Sequence, residues 1–166
     1  MVEFKIKEST IKLAKNRCDN INVNSDKLNK YGSEKKRIFE GYLGEEIIKE
    51  YLDIEKVSDD YEYDLISNKN KRLEVKTITC SFKPKEDYLC TVNSHSLEYV
   101  HKQKADYYIF LRILNTYERA WILGWIECDV FFRIGSFIKK GTDFGKFNFT
   151  KANATVLEIS KLNYFK

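Results

Sequence analysis

The sequence predicts a mixed α/β fold, a mixed β-sheet with helices packed on it. Three observations carry that prediction. A helical apolar period runs through residues 34–52, where Leu43, Ile47, Ile48, Tyr51 and Leu52 share one broad face. Two strand-like runs, residues 61–67 (YEYDLIS) and 72–79 (RLEVKTIT), flank the polar turn Asn68-Lys69-Asn70-Lys71, which reads as a hairpin. Two apolar, aromatic runs, residues 106–114 (DYYIFLRIL) and 120–127 (AWILGWIE), have the unbroken hydrophobicity of strands buried on both faces. Helix, strands, short helix and strands in that order place helices against a sheet.

The other elements follow from local signals. Residues 9–17 read as a first helix, with Ser9 or Thr10 as its cap. Residues 16–33, rich in Asn, Asp and Lys, read as a loop. Gly41 and Gly44 inside the long helix point to close backbone packing or to a break near residue 41. A third strand is expected over residues 88–92, helical character over 94–103, a short helix over 130–137 and a last strand over 155–159. One proline, seven glycines and no low-complexity tract in 166 residues make this a single domain, 1–166, with a core of its own.

Composition narrows the class. An apolar share of 43% with 33% charged residues is globular, and no apolar run is long enough to span a bilayer. The start, MVEFKIKESTIKLAK, lacks a signal-peptide pattern, so a cytoplasmic location is expected. Cys18, Cys80, Cys90 and Cys128 form no CxxC pair and read as buried thiols, with a metal set of Cys80, Cys90, His95 and His101 as the minor alternative. A net charge of +4 is compatible with a polyanion partner without requiring one.

The chemistry sits in the hairpin. Residues i and i+2 of a strand share a face, so Glu74 and Lys76 project together while Leu73, Val75 and Thr77 face the other way. The turn brings Asp64 near Glu74. Carboxylates among apolar neighbours are costly unless paired or metal-bound, and two of them aimed at one spot suit a hard cation such as Mg2+ or Mn2+. The Val75 carbonyl can add a ligand. Lys76 beside the metal can support an attacking water and offset charge on a phosphorane-like transition state. A further acid can come from the long helix, with Glu45 favoured and Glu46, about 100° round the helix, in reserve. Taken alone, EVK is most often an ordinary solvated ion pair. The ordered set of GxxGE on a helix, YDL, a turn and LEVKT distinguishes it.

That set resembles the PD-(D/E)XK nuclease superfamily, whose members include restriction endonucleases and Holliday-junction resolvases. The matching residues are Asp64, Glu74, Val75 and Lys76, with Glu45 at the helix position; Tyr63 stands where the motif name has proline. The pieces KP-x-x-DY (83–88), HKQKADYYIFLR (101–112) and WILGWI (121–126) are similar to small phage and bacterial proteins of that superfamily, so the likeness covers roughly residues 41–132. It implies a restriction-endonuclease-like central mixed sheet flanked by helices, metal-dependent cleavage of DNA, and for many members a homodimer. It also implies that Gln103 approaches the metal or the DNA, although an exposed helix amide is as good a reading. Lys83, Lys85, Lys102 and Lys104 are either phosphate contacts or a solvated face. A non-catalytic nucleic-acid-binding module and an RNA nuclease are the alternatives. His95 and His101 are not expected to act as bases. Tyr107, Tyr108, Phe110, Trp121 and Trp125 read as core rather than as a stacking platform.

Overall fold

A computed structural model describes residues 1–20, 32–54, 63–93, 104–142 and 152–165. The elements in chain order are β1 (Val2–Lys5), α1 (Glu8–Asp19), α2 (Gly32–Leu52), β2 (Leu65–Ile66), β3 (Arg72–Cys80), β4 (Leu89–Asn93), β5 (Tyr107–Leu114), β6 (Arg119–Glu127), α3 (Cys128–Ile134), β7 (Ser136–Ile138) and β8 (Ala154–Glu158), followed by a 3-10 turn (Ile159–Lys161). The fold is mixed α/β, as the sequence predicts. A five-stranded sheet runs β1-β6-β5-β3-β2, and a three-stranded sheet runs β4-β8-β7. In the larger sheet only β3 and β5 are parallel.

The larger sheet is buried on both faces, which explains the unbroken apolar runs of β5 and β6. Ile109, Leu111 and Ile113 of β5 join Leu43, Ile47 and Ile48 of α2, with Leu73 and Val75 of β3, in one core. Tyr108 and Phe110, on the opposite face of β5, join Phe131 of α3 and Leu157 near the end of β8 in a second core. The face parity read for β3 holds, since Leu73 and Val75 lie in the first core while Lys76 lies over the ring of Tyr108 in the second.

Several local expectations are corrected. The strand expected over 88–92 does form, but in the smaller sheet, where its Cys90 and Val92 pack into the second core. The first helix starts at Glu8 with Lys7 as its cap residue and no side-chain cap bond. Thr10 instead donates from its hydroxyl to Glu50 Oε2 at 2.7 Å, tying α1 to α2. β1 was not expected, because four residues carry too little pattern. The helix read over 130–137 begins at Cys128 and ends before Gly135, and Phe137 belongs to β7. The helical reading of 94–103, with His95, His101, Lys102 and Gln103, lies outside the described residues. Cys18, Cys90 and Cys128 are buried and Cys80 is half-buried, all without disulfides. Burial pushes the Cys90 and Cys128 thiols up to about 12, so both stay protonated at neutral pH. No helix among the described residues is long and apolar enough to cross a membrane.

The two helix glycines have different meanings. α2 runs unbroken through Gly41, where an added Cβ would meet nothing within 4 Å. At Gly44 a Cβ would lie 1.9 Å from Thr77 Oγ1 and 2.8 Å from Leu111 Cδ2. Gly44 is therefore where α2 presses onto β3 and β5. Gly41→Ala is expected to stabilise the protein by up to about 1 kcal/mol through helix propensity. Gly44→Ala is expected to cost roughly 1–3 kcal/mol despite the same gain, because Thr77 is stiff and the core is full. Urea denaturation of the pair checks this; equal midpoints would remove the packing argument.

Candidate active site

The site begins at the shortness of β2. Only Leu65 and Ile66 pair with β3, at Leu73 and Arg72. Asp64 continues the pairing by one backbone bond, its N–H donating to the Leu73 carbonyl at 3.0 Å. Beyond that its side chain replaces the strand, with Oδ2 accepting from the Val75 N–H at 2.7 Å. Asp64 is thus fixed against the edge of β3.

Glu74 and Lys76 stand side by side on the face towards the second core. Lys76 Nζ donates to Glu74 Oε1 at 2.7 Å, and Glu74 is only 6% exposed. Parallel register sets Tyr108 beside Glu74, and the Lys76 ammonium lies 5.7 Å from the Tyr108 ring centroid. The Tyr108 hydroxyl is buried beside the Cys128 thiol without a hydrogen bond of ordinary geometry.

Glu45 reaches the same region from α2, one residue past the contact at Gly44. Glu45 and Glu46 are both buried. Arg17 of α1 accounts for this. One guanidinium nitrogen donates to Glu45 Oε2 at 2.6 Å and the other to Glu46 Oε1 at 2.8 Å, with the guanidinium carbon 4.2 Å from the centroid of the Tyr42 ring. Glu46 also accepts from Lys49 at 3.1 Å. Arg17→Ala is expected to cost about 3 kcal/mol, since it leaves two buried carboxylates short of a counter-charge. Arg17→Lys should recover only part, because an ammonium cannot span both acids as a planar fork does. Denaturant midpoints of the two variants measure this; an Arg17→Ala protein as stable as the parent would refute it.

Electrostatics ties the acids together. Burial, and next the charge of Asp64, push the Glu45 carboxyl up to about 7 against the pull of Arg17. Burial, and next the charge of Glu74, push Asp64 up to about 6 against the Val75 N–H, Lys76 and Arg17. The Asp64 charge is thus felt at Glu45 and the Glu74 charge at Asp64, while Arg17 is bonded to Glu45 and Lys76 to Glu74.

Neither family models nor curated proteins match this chain.

Among the described residues, no three His, Cys, Asp or Glu side chains converge as a ready-made metal cage. The donor chemistry nevertheless fits a hard divalent cation. Magnesium needs only one or two carboxylates and takes the rest of its shell from water and phosphate oxygens. Burial raises Asp64 most and the Glu74 charge next, and a cation between the two would offset the second of these.

Of the other expected contacts, Lys102 and Gln103 lie outside the described residues. Lys83 and Lys85 are exposed on the segment after β3. Lys104 lines a cleft of about 550 Å³ with Lys71, Arg72, Asp106 and Tyr107. Arg72 grips Asp106 there with contacts of 2.7 and 3.2 Å, so that cleft is built on a matched pair. Of the aromatic residues read as core, Tyr108, Phe110 and Trp121 are buried, while Tyr107 and Trp125 are partly exposed and stack edge-to-face at 5.4 Å. Sequence reasoning missed Arg17 and Tyr108. The only signal for Arg17 was a surplus of acid in GEE, and for Tyr108 there was none without the strand register.

Proposed function

We propose that this chain is a metal-dependent nuclease of PD-(D/E)XK type that hydrolyses phosphodiester bonds in DNA. The observation that carries the reading is Asp64 pinned by the Val75 N–H at the edge of β3, beside a buried Glu74 whose Oε1 accepts from the Lys76 ammonium. A protein that keeps repelling carboxylates buried at a sheet edge needs a cation to make them useful.

In this reading Asp64, Glu74 and the Val75 carbonyl hold Mg2+ or Mn2+, and Glu45 binds the ion or its water. The bound cation lowers the pKa of a coordinated water and neutralises phosphate charge. Lys76, fixed by Glu74 and the Tyr108 ring, supports the attacking water and stabilises charge developing on the phosphoryl oxygens. Asp64, clamped by the Val75 N–H, is held in one geometry, which favours catalysis through orientation. Gln103 is proposed to approach the metal or the DNA. Cleavage at a junction or a restriction-type site, and a homodimer that cuts both strands, are parts of the same proposal.

One observation favours a second reading. Lys76 on Glu74 and Arg17 on Glu45 already neutralise much of the acid within the fold, as a binding module without catalysis would require. Supercoiled plasmid, a labelled duplex, a four-way junction and duplex RNA, each with magnesium, manganese or chelator, separate the two. Metal-dependent cutting supports the nuclease and its preferred substrate names the type. Metal-independent binding with no cutting supports the module.

A further inference from the structure

Arg17 comes to the acids from α1, and α1 is fastened to α2 on either side of it in sequence. Thr10 donates to Glu50 Oε2 at 2.7 Å, and the Cys18 thiol donates to the Lys35 carbonyl at 3.8 Å. The Arg17 side chain is 28% exposed, with its guanidinium against the Tyr42 ring and one nitrogen on each of Glu45 and Glu46. A planar fork backed by a ring is held in one orientation. Its charge is felt at Asp64 as well as at Glu45.

Two features decide how many ions such a site can take. The first is which oxygens the fold already holds. Glu45 Oε2 accepts from Arg17, Asp64 Oδ2 from the Val75 N–H, and Glu74 Oε1 from Lys76. Each acid thus has one oxygen committed to a donor of the chain. Two ions about 3.5–4 Å apart are commonly bridged by a carboxylate that gives one oxygen to each. A bridge here would have to break one of these bonds.

The second feature is charge. Glu45, Glu46, Asp64 and Glu74 carry four negative charges when ionised, and the cations bonded within this set, Arg17, Lys49 and Lys76, carry three positive ones. The net is one negative charge. One divalent ion turns it to one positive, which the single negative charge of a phosphodiester cancels. A second ion would enter a site already positive. Take Arg17 away, and two adjacent buried acids are left short of a counter-charge, a setting that suits a hard divalent ion.

We propose that Arg17 is a positioning residue and a resident cation of this site. It holds Glu45 by one oxygen, so that Glu45 orients a water of the bound ion, and it limits the site to a single divalent ion at Asp64 and Glu74. The proposal rests on the metal site of the nuclease reading and deepens it, since charge stabilisation beyond the one ion then falls to Lys76.

Ions are counted apart from cleavage. Mn2+ is titrated without nucleic acid into wild type, Arg17→Met, Arg17→Gln and Arg17→Lys, and bound ions are read from the loss of the free Mn2+ signal in electron paramagnetic resonance. Far-UV circular dichroism checks each fold. Wild type is expected to bind one Mn2+ per chain. Arg17→Met keeps an apolar stem over Tyr42 without the charge, and Arg17→Gln keeps one donor. Both are expected to bind two, with Mn2+ restoring most of the Tm they lose. Arg17→Lys keeps the charge and is expected to bind one. An Arg17 that is merely structural would lower Tm in the neutral variants and leave their count at one.

Two ions in wild type overturn the limit whether or not the variants fold, and one ion in a folded Arg17→Met or Arg17→Gln protein overturns it too. Metal-dependent cutting by a wild type that binds two ions removes the limit and keeps the nuclease. One ion in wild type and two in the neutral variants, with no substrate cut, keeps the limit and removes the nuclease. No bound Mn2+ in any of the proteins overturns both.

Discussion

Glu74→Gln is expected to lower the rate of DNA cleavage by at least about a hundredfold while leaving the fold intact. The two effects separate for a physical reason. Gln keeps the size of the side chain and can still accept from Lys76 Nζ, now 2.7 Å from Glu74 Oε1. It also removes the charge that helps raise the Asp64 carboxyl to about 6, so an internal repulsion is relieved. What is lost is an anionic oxygen for the cation. Lys76→Ala should abolish cleavage to a similar degree but lower stability as well, because it strands a buried carboxylate without its partner. Single-turnover cleavage and urea denaturation on both variants test the pair. A Glu74→Gln enzyme within a few-fold of wild type would dismiss Glu74 as a metal ligand.

The second large effect is on stability against pH without divalent cations. Glu45 rises from an ordinary value of 4.5 to about 7, and Asp64 from 3.8 to about 6. A raised carboxyl means that the folded state holds its proton when the unfolded chain has already released it. The unfolded state then binds fewer protons, and stability falls as pH rises. The contribution is present below about pH 4 and lost through the window from about 4 to 7. Burial is the larger cause at both sites and repulsion by the neighbouring acid the next, and because part of that repulsion is shared the shifts do not simply add; the combined loss is on the order of 3 kcal/mol, or roughly 5–10 °C in Tm. In chelator, Tm should be higher at pH 5 than at pH 8. Magnesium should recover the difference at pH 8 and do little at pH 5, and Asp64→Asn should flatten the profile. A flat thermal profile in chelator would show that the acids are neither desolvated nor held against one another.

The legible parts of this molecule are those whose determinants lie close in sequence. The strand β3 and its polar turn are written in ten consecutive residues, and the shared face of Glu74 and Lys76 follows from strand geometry alone. The long helix declares itself by its period, and Gly44 marks a close approach although nothing local says to what. The illegible parts depend on distant pairings. Arg17 meets Glu45 and Glu46 across 28 and 29 residues, so no window around either group contains the other. Tyr108 lies beside Glu74 only because β5 runs parallel to β3 in one particular register. β4 left the predicted single sheet because its partner is β8, about sixty residues on, which nothing in its own five residues names.

The pairing of β1 carries a consequence for how the molecule comes together. Val2 lies opposite Ile122, and further along the same strand Trp125 exchanges two backbone bonds of 2.9 Å with Asn163. As the chain emerges during synthesis, everything needed to join Arg17 to Glu45 and Asp64 to Val75 is available once β3 is made. β1 must wait for β6, and closing so long a loop carries the larger entropic cost. β1 therefore closes the sheet across a far longer stretch of chain than the contacts that gather the acids.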